Sequence, residues 1–225
     1  MHNKIKALLF VTIFSASNAA FAINYFGIDY KYRDMNGHSS NTYTMRDVLG
    51  SSYNGAQVYY ARRYDSNVGF DVGYEQSQNK SQTHVFSSGD TFLGVNQSAG
   101  ASTVFSNRIR ALQFDLVGYV NFVYKLEAIG QLGLSLMQAD MTGTGTTNVI
   151  TTNFAPSKTW NLIPRIGLGV QYFAFGSGNI GLRALVNWEN TGSYRLKITD
   201  ESGVRRTIGP FENSWSYMVG VVAKF

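Results

Sequence analysis

Cysteine is absent from the chain, proline occurs only three times, and charged residues make up only 15% of it. Without cysteine there is neither a disulfide framework nor a thiolate zinc site. A strong charge bias is also missing: the formal net charge is +5, from 19 basic and 14 acidic residues. Such an excess is too small to argue for nucleic acid, whose partners concentrate basic residues on one face. A helical membrane span needs roughly 20 consecutive apolar residues, and nothing in the sequence approaches that. A membrane protein built without such runs crosses the bilayer with strands closed into a barrel.

What is present begins with Lys4 and Lys6, followed by the short apolar stretch Ala7 to Phe14 and then Ala20-Phe21-Ala22. A charged start, a short apolar core and a small-x-small site make a secretory signal peptide. Residues 1–22 are therefore expected to be removed, leaving a single domain over residues 23–225. With Lys4 and Lys6 gone, 17 basic residues face 14 acidic ones, a net charge of +3. The composition is rich in Gly (23), Tyr (14) and Phe (15).

Membrane strands show apolar and polar residues in alternation over about 9 to 11 positions. Phe26, Ile28, Tyr30 and Tyr32 alternate with Gly27, Asp29, Lys31 and Arg33. The same pattern recurs in 56–64, 68–75, 112–120, 126–137, 164–172, 180–188 and 215–225, which makes eight strands. Between them the connections run long, short, long, short, long, short, long. Short turns on one side and long loops on the other are the expected signature of an up-and-down barrel. If the mature N-terminus starts inside, Trp160, Trp188 and Trp215 mark the outer water boundary, and Tyr64, Phe122, Tyr124, Phe173, Phe175 and Phe225 mark the inner one. Periodicity alone leaves open a soluble, lipocalin-like barrel with the polar face outward. The loop asymmetry, the aromatic boundaries and the terminal aromatic favour the membrane.

These features resemble the small outer-membrane β-barrel family that includes the OmpA transmembrane domain and the OmpX-type proteins. The resemblance covers residues 23–225 in strand count and loop alternation. Its sequence-level mark is the closing strand Tyr217-Met218-Val219-Gly220-Val221-Val222-Ala223-Lys224-Phe225. In that family a terminal Phe on an alternating strand is read by the insertion machinery, which implies that role for Phe225. No periplasmic peptidoglycan-binding domain is expected after it, so a cell-wall tether is not implied. The expected location is the bacterial outer membrane.

An eight-stranded barrel has an interior just wide enough for side chains to fill. Both signs point inward: Asp29, Asp71, Glu75, Asp115 and Glu127 against Lys31, Arg33, Arg63, Arg165, Arg183 and Lys224. Buried charges need partners, so an interior network that plugs the barrel is expected, with a narrow or gated solute path as the alternative. His38 and His84 fall in different long loops and have no Ser and carboxylate at triad spacing, so neither catalysis nor a metal or other cofactor is expected.

Alternation on both sides of Gly203 suggests that strands seven and eight continue past the membrane as a protruding hairpin. Its Arg195, Lys197, Arg205 and Arg206 either stand in water, partly neutralised by Asp200 and Glu201, or meet lipopolysaccharide phosphates or an acidic host surface. The long second connection around 80–106, rich in Ser, Gln, Gly and Asn, reads as a mobile loop without a functional signal. The expected function is non-enzymatic, structural and surface-interacting, with adhesion through the loops. The alternative is a conduit for small or apolar solutes. Expected partners are outer-membrane lipid and lipopolysaccharide, the insertion machinery and a host surface ligand, with the chain a monomer.

Overall fold

The alternation read from the sequence appears in the computed structural model as eight long antiparallel strands. The structure describes residues 22–37, 39–40, 43–44, 50–92, 95–96, 99–123, 125–145, 160–175, 178–199 and 205–225. The strands are β1 (Ile23–Gly37), β2 (Ser52–Arg63), β3 (Val68–Ser77), β4 (Ser102–Val123), β5 (Leu126–Gly145), β6 (Asn161–Phe175), β7 (Ile180–Glu189) and β8 (Phe211–Lys224). Each pairs with the next in sequence. β8 then pairs with β1 from Tyr25↔Lys224 to Gly37↔Phe211, which closes the ring. Closure removes both sheet edges, so every ladder is satisfied without water. Beyond the last ladder position, Asn24 and Phe225 exchange two backbone hydrogen bonds of 3.1 and 3.0 Å. The leader expected at 1–22 lies, apart from Ala22, outside the described residues.

The eight-strand expectation holds, and so does the alternation of short and long connections. In the β2–β3 turn, Asp65 accepts backbone N–H bonds from Asn67 (2.7 Å) and Val68 (2.8 Å). Those two bonds hold its carboxyl below the usual range. Lys125 turns β4 into β5 with φ +69°, a left-handed conformation for a non-glycine residue.

Three readings of the long connections need correction. β4 and β5 run well past the expected 112–120 and 126–137, and pair with each other out to Thr103↔Gly145. The second connection, expected to be a mobile loop, contains a strand: Lys80–Val85 pairs with β4 from Lys80↔Asn107 to Val85↔Ser102. Strands seven and eight do not continue as one hairpin. β7 stops at Glu189, a 3-10 turn follows at Thr191–Ser193, and Leu196–Thr199 pairs with Arg205–Ile208 as a separate two-stranded sheet. Asn190 ends the strand by accepting the Gly192 N–H with its side chain.

Outward residues of the barrel are aromatic or aliphatic and exposed, Leu168 being 70% so. Inward residues include Lys31, Arg33 and Arg165, each no more than 2% exposed. An apolar outside around a charged inside is the reverse of a water-soluble barrel and identifies lipid as the surrounding solvent.

Candidate functional site

The interior is filled in layers. Nearest the short turns, the Tyr25 ring stacks on Tyr119 with centroids 6.0 Å apart and lies 6.0 Å from Phe173. Arg63 Nη1 donates to Glu127 (2.8 Å), and its guanidinium lies 4.6 Å from the Tyr119 ring centroid. Gln171 donates to the other Glu127 oxygen at 2.5 Å. Lys224 Nζ sits 5.1 Å from the Phe173 ring. Phe173, expected at the lipid boundary, is thus inside the barrel and only 4% exposed. Two residues on, beyond a register shift in the β6–β7 pairing, Phe175 is the exposed aromatic.

The next layer joins opposite walls. Arg183 on β7 donates to Asp71 on β3 (2.8 Å) while its guanidinium lies 4.0 Å from the Tyr59 ring. Gln131 donates to the same Asp71 oxygen at 3.1 Å. Arg165 and Asp115 approach to 3.4 Å. Asp29 is brought into this layer, but both its oxygens are buried without a hydrogen-bond partner among the described residues. The expectation that every buried charge is paired is therefore corrected at Asp29. Gly27 faces Tyr59, where a Cβ would collide with the phenol ring, so the glycine makes room for the large neighbour.

Above it, Arg33 forms the centre of a second cross-lumen bridge. Its Nε and Nη2 donate to Glu75 at 3.1 and 2.7 Å, its Nη1 and Nη2 bond Glu189, and Nη1 also reaches Ser214 at 3.0 Å. Lys31 Nζ (2.7 Å) and Gln113 Nε2 (2.8 Å) complete the shell around Glu75. Glu75 and Glu189 stand on β3 and β7, four strands apart in a ring of eight. Glu189 lies one residue past the end of strand seven as the alternation defines it, 180–188, and so falls outside the expected lumen set. Its parity with Gly181 and Arg183 on β7 was the available signal.

Still farther out the interior turns apolar. Met35, Tyr53, Phe86, Phe105, Ile109, Met137, Met141, Ile163, Tyr194 and Phe211 form one buried cluster. The Ala139 N–H donates to the Tyr194 hydroxyl at 2.7 Å, which ties the segment after β7 to the β5 backbone. Burial pushes that hydroxyl up to about 12, so it stays protonated.

The remaining expected positions are dispersed. Trp188 and Trp215 are register partners. Trp160 precedes β6, six residues outward of Ile166, the partner of Trp188, and is not brought to them. Phe225 is 70% exposed at the inner end. Arg195 is committed to backbone, donating to the carbonyls of Gly192 (2.7 Å) and Tyr194 (2.9 Å), beside a recess of about 520 Å³. Lys197 is exposed. Arg205 and Arg206 lie on a described strand, but their side chains fall outside the described residues, as does His38. Among the described residues no group of three His, Cys, Asp or Glu is placed to hold a metal.

A closed ring of eight strands, inverted in polarity, defines a small transmembrane β-barrel of the outer-membrane type. No protein-family profile and no curated protein sequence matches the chain. Solved structures do. OprG, an outer-membrane protein from Pseudomonas aeruginosa, superposes with a TM-score of 0.55 at 11% identity over 91% of this chain and 96% of OprG. A major outer-membrane protein from Thermus thermophilus gives 0.50 at 11% identity, covering 89% of this chain and 99% of that one. Ail of Yersinia pestis, solved with the heparin analogue sucrose octasulfate, gives 0.45 at 11% identity, covering 91% and 97%. The shared feature is the fold. The chain has the fold of a small outer-membrane β-barrel, with short turns at one end and long connections at the other.

Proposed function

We propose that this is a non-enzymatic surface-display protein, whose filled membrane stem holds an ordered extracellular extension for contact with other surfaces. The observation that carries the reading is the Glu75–Arg33–Glu189 bridge, which spans the lumen between opposite walls with all three side chains at most 2% exposed. An aromatic layer and the Arg183–Asp71 layer lie below it and an apolar core above, so a solute would have to displace four packed layers. Above the membrane, the paired β4–β5 walls, the added strand Lys80–Val85 and the apolar core support a folded head. Contact residues on such a head are held by rigid elements, which lowers the entropy lost on binding.

The test has two arms. Purified protein in a planar bilayer is expected to show no steady conductance; discrete steady openings would instead favour a narrow conduit. Cells carrying the protein are expected to adhere to host surfaces, and to lose that adhesion when residues 196–208 are replaced by a short turn. Unchanged adhesion would overturn the role assigned to that hairpin.

A further inference from the structure

The height of the apolar wall can be read along β4. Its outward residues Phe122, Val120, Gly118, Leu116, Phe114 and Leu112 span ten residue steps. At about 3.3 Å per step and a tilt of about 40°, that is roughly 25 Å along the membrane normal, the height of an outer-membrane apolar band. The next two outward residues are Arg110 and Arg108. On other strands the step beyond the apolar wall is taken by Asp34, Asn54, Gln76 or Asn213, none of them cationic. Among these described positions the step beyond the apolar wall is cationic on β4 alone.

The two arginines are preset. Arg108 Nη2 and Arg110 Nη2 each lie 3.2 Å from the same Asp140 oxygen on β5, with side chains 37% and 31% exposed. One carboxylate for two guanidiniums orients both and leaves a net positive charge. Each guanidinium carries five donors, so donors remain for a further acceptor. The ladder pair Leu112↔Leu136, immediately below, presents aliphatic side chains on the same face.

From this geometry we infer that Arg108 and Arg110 form a binding site for a phosphate on the headgroup of an outer-leaflet glycolipid. The acyl chains of that lipid lie along Leu112, Leu134 and Leu136. Paired guanidiniums suit a phosphate because their N–H groups match its oxygens in geometry and charge, and the phosphates of a lipid lie at the height where the apolar wall ends. The site differs from the hairpin cations and does not require the display function. It rests on the membrane placement of the barrel.

The experiment uses the full mature chain in phosphatidylcholine nanodiscs doped with bis-phosphorylated lipid A or with its dephosphorylated form. Native mass spectrometry reads the lipid retained. Wild type is expected to retain the phosphorylated lipid preferentially. R108Q/R110Q is expected to lose about tenfold in that preference, the size of one charge-assisted hydrogen bond. R195Q/K197Q, on the hairpin, is expected to retain it. Heat-modifiable migration checks that each variant is folded, and R108K/R110K, which keeps the charge, is expected to fall between wild type and the glutamine pair. Equal retention of the two lipids by wild type, or an undiminished preference in folded R108Q/R110Q, overturns the site. Water contact at Leu116 would instead remove the membrane placement on which it rests.

Discussion

Strand β4 carries two opposite polarity patterns on one continuous backbone. Up to Leu112 its outward side is Phe122, Val120, Leu116, Phe114 and Leu112, and its inward side includes Asp115 and Gln113. From Ala111 on, the outward side is Arg110, Arg108 and Ser106, and the inward side is largely apolar, with Ala111, Ile109 and Phe105 buried. The parity of the strand never changes; the solvent does. In the bilayer, apolar groups lose nothing by facing out, and the polar groups collect inside where they can pair. Above the bilayer, water surrounds the same wall, and the hydrophobic effect draws the apolar side chains inward. The lower region is held by ion pairs and hydrogen bonds, the upper by apolar burial, so the two should fail in different ways.

The largest expected difference comes from Arg33→Met. It leaves Lys31 as the cation within ion-pair distance of both Glu75 and Glu189 among the described residues, and loss of one partner from a buried ion network costs about 3–5 kcal/mol. Urea unfolding in detergent or bilayers should show that loss for the whole barrel, and combining R33M with E75Q and E189Q should recover most of it. Phe105→Ala should cost less, about 3 kcal/mol, through the cavity it leaves in the upper core. Its signature is regional: new protease cleavage in the extension, with heat-modifiable migration of the barrel unchanged. If R33M is lost only locally, or F105A unfolds the stem, the division between regions is wrong.

Two smaller effects concern the inner end. Deleting Phe225 removes the terminal aromatic and both backbone bonds that it exchanges with Asn24 on β1. The expected outcome is a lower yield of inserted barrel, measured by heat-modifiable migration of outer-membrane fractions. Asp65→Ala should have the least effect, because the turn is exposed. The folded carboxyl is held below its ordinary value by two backbone N–H groups. Its contribution is therefore full at neutral pH and is lost as pH falls through that lowered value. Wild type and D65A should differ slightly in melting temperature at pH 7 and converge in strong acid.

The inversion along β4 also explains what was legible in the sequence. Within the membrane, alternation with an apolar outward phase marked every strand, and the expected lumen residues Asp29 to Arg183 lie on the inner face. Lys224 is half-buried there against Phe173. The pattern stopped being readable where its phase turned over: Ala111 and Arg110 look like a strand end to a reading that requires apolar residues outward. For the same reason Ser102 to Arg110 and the strand Lys80–Val85 read as loop. Glu189 was lost at the opposite wall, one residue past the last outward Trp. The cross-lumen pairings themselves are tertiary facts, since Arg33 and Glu189 are 156 residues apart.

The absence of cysteine makes the decisive measurement direct. Single cysteines placed at the outward positions Ser106, Arg108, Arg110, Leu112, Phe114 and Leu116 can each carry a spin label, read in bilayers against a lipid-soluble and a water-soluble relaxing agent. The account predicts lipid contact at Leu116, Phe114 and Leu112, then a switch to water contact from Arg110 outward. Lipid contact continuing to Ser106, or water contact already at Leu116, would contradict it.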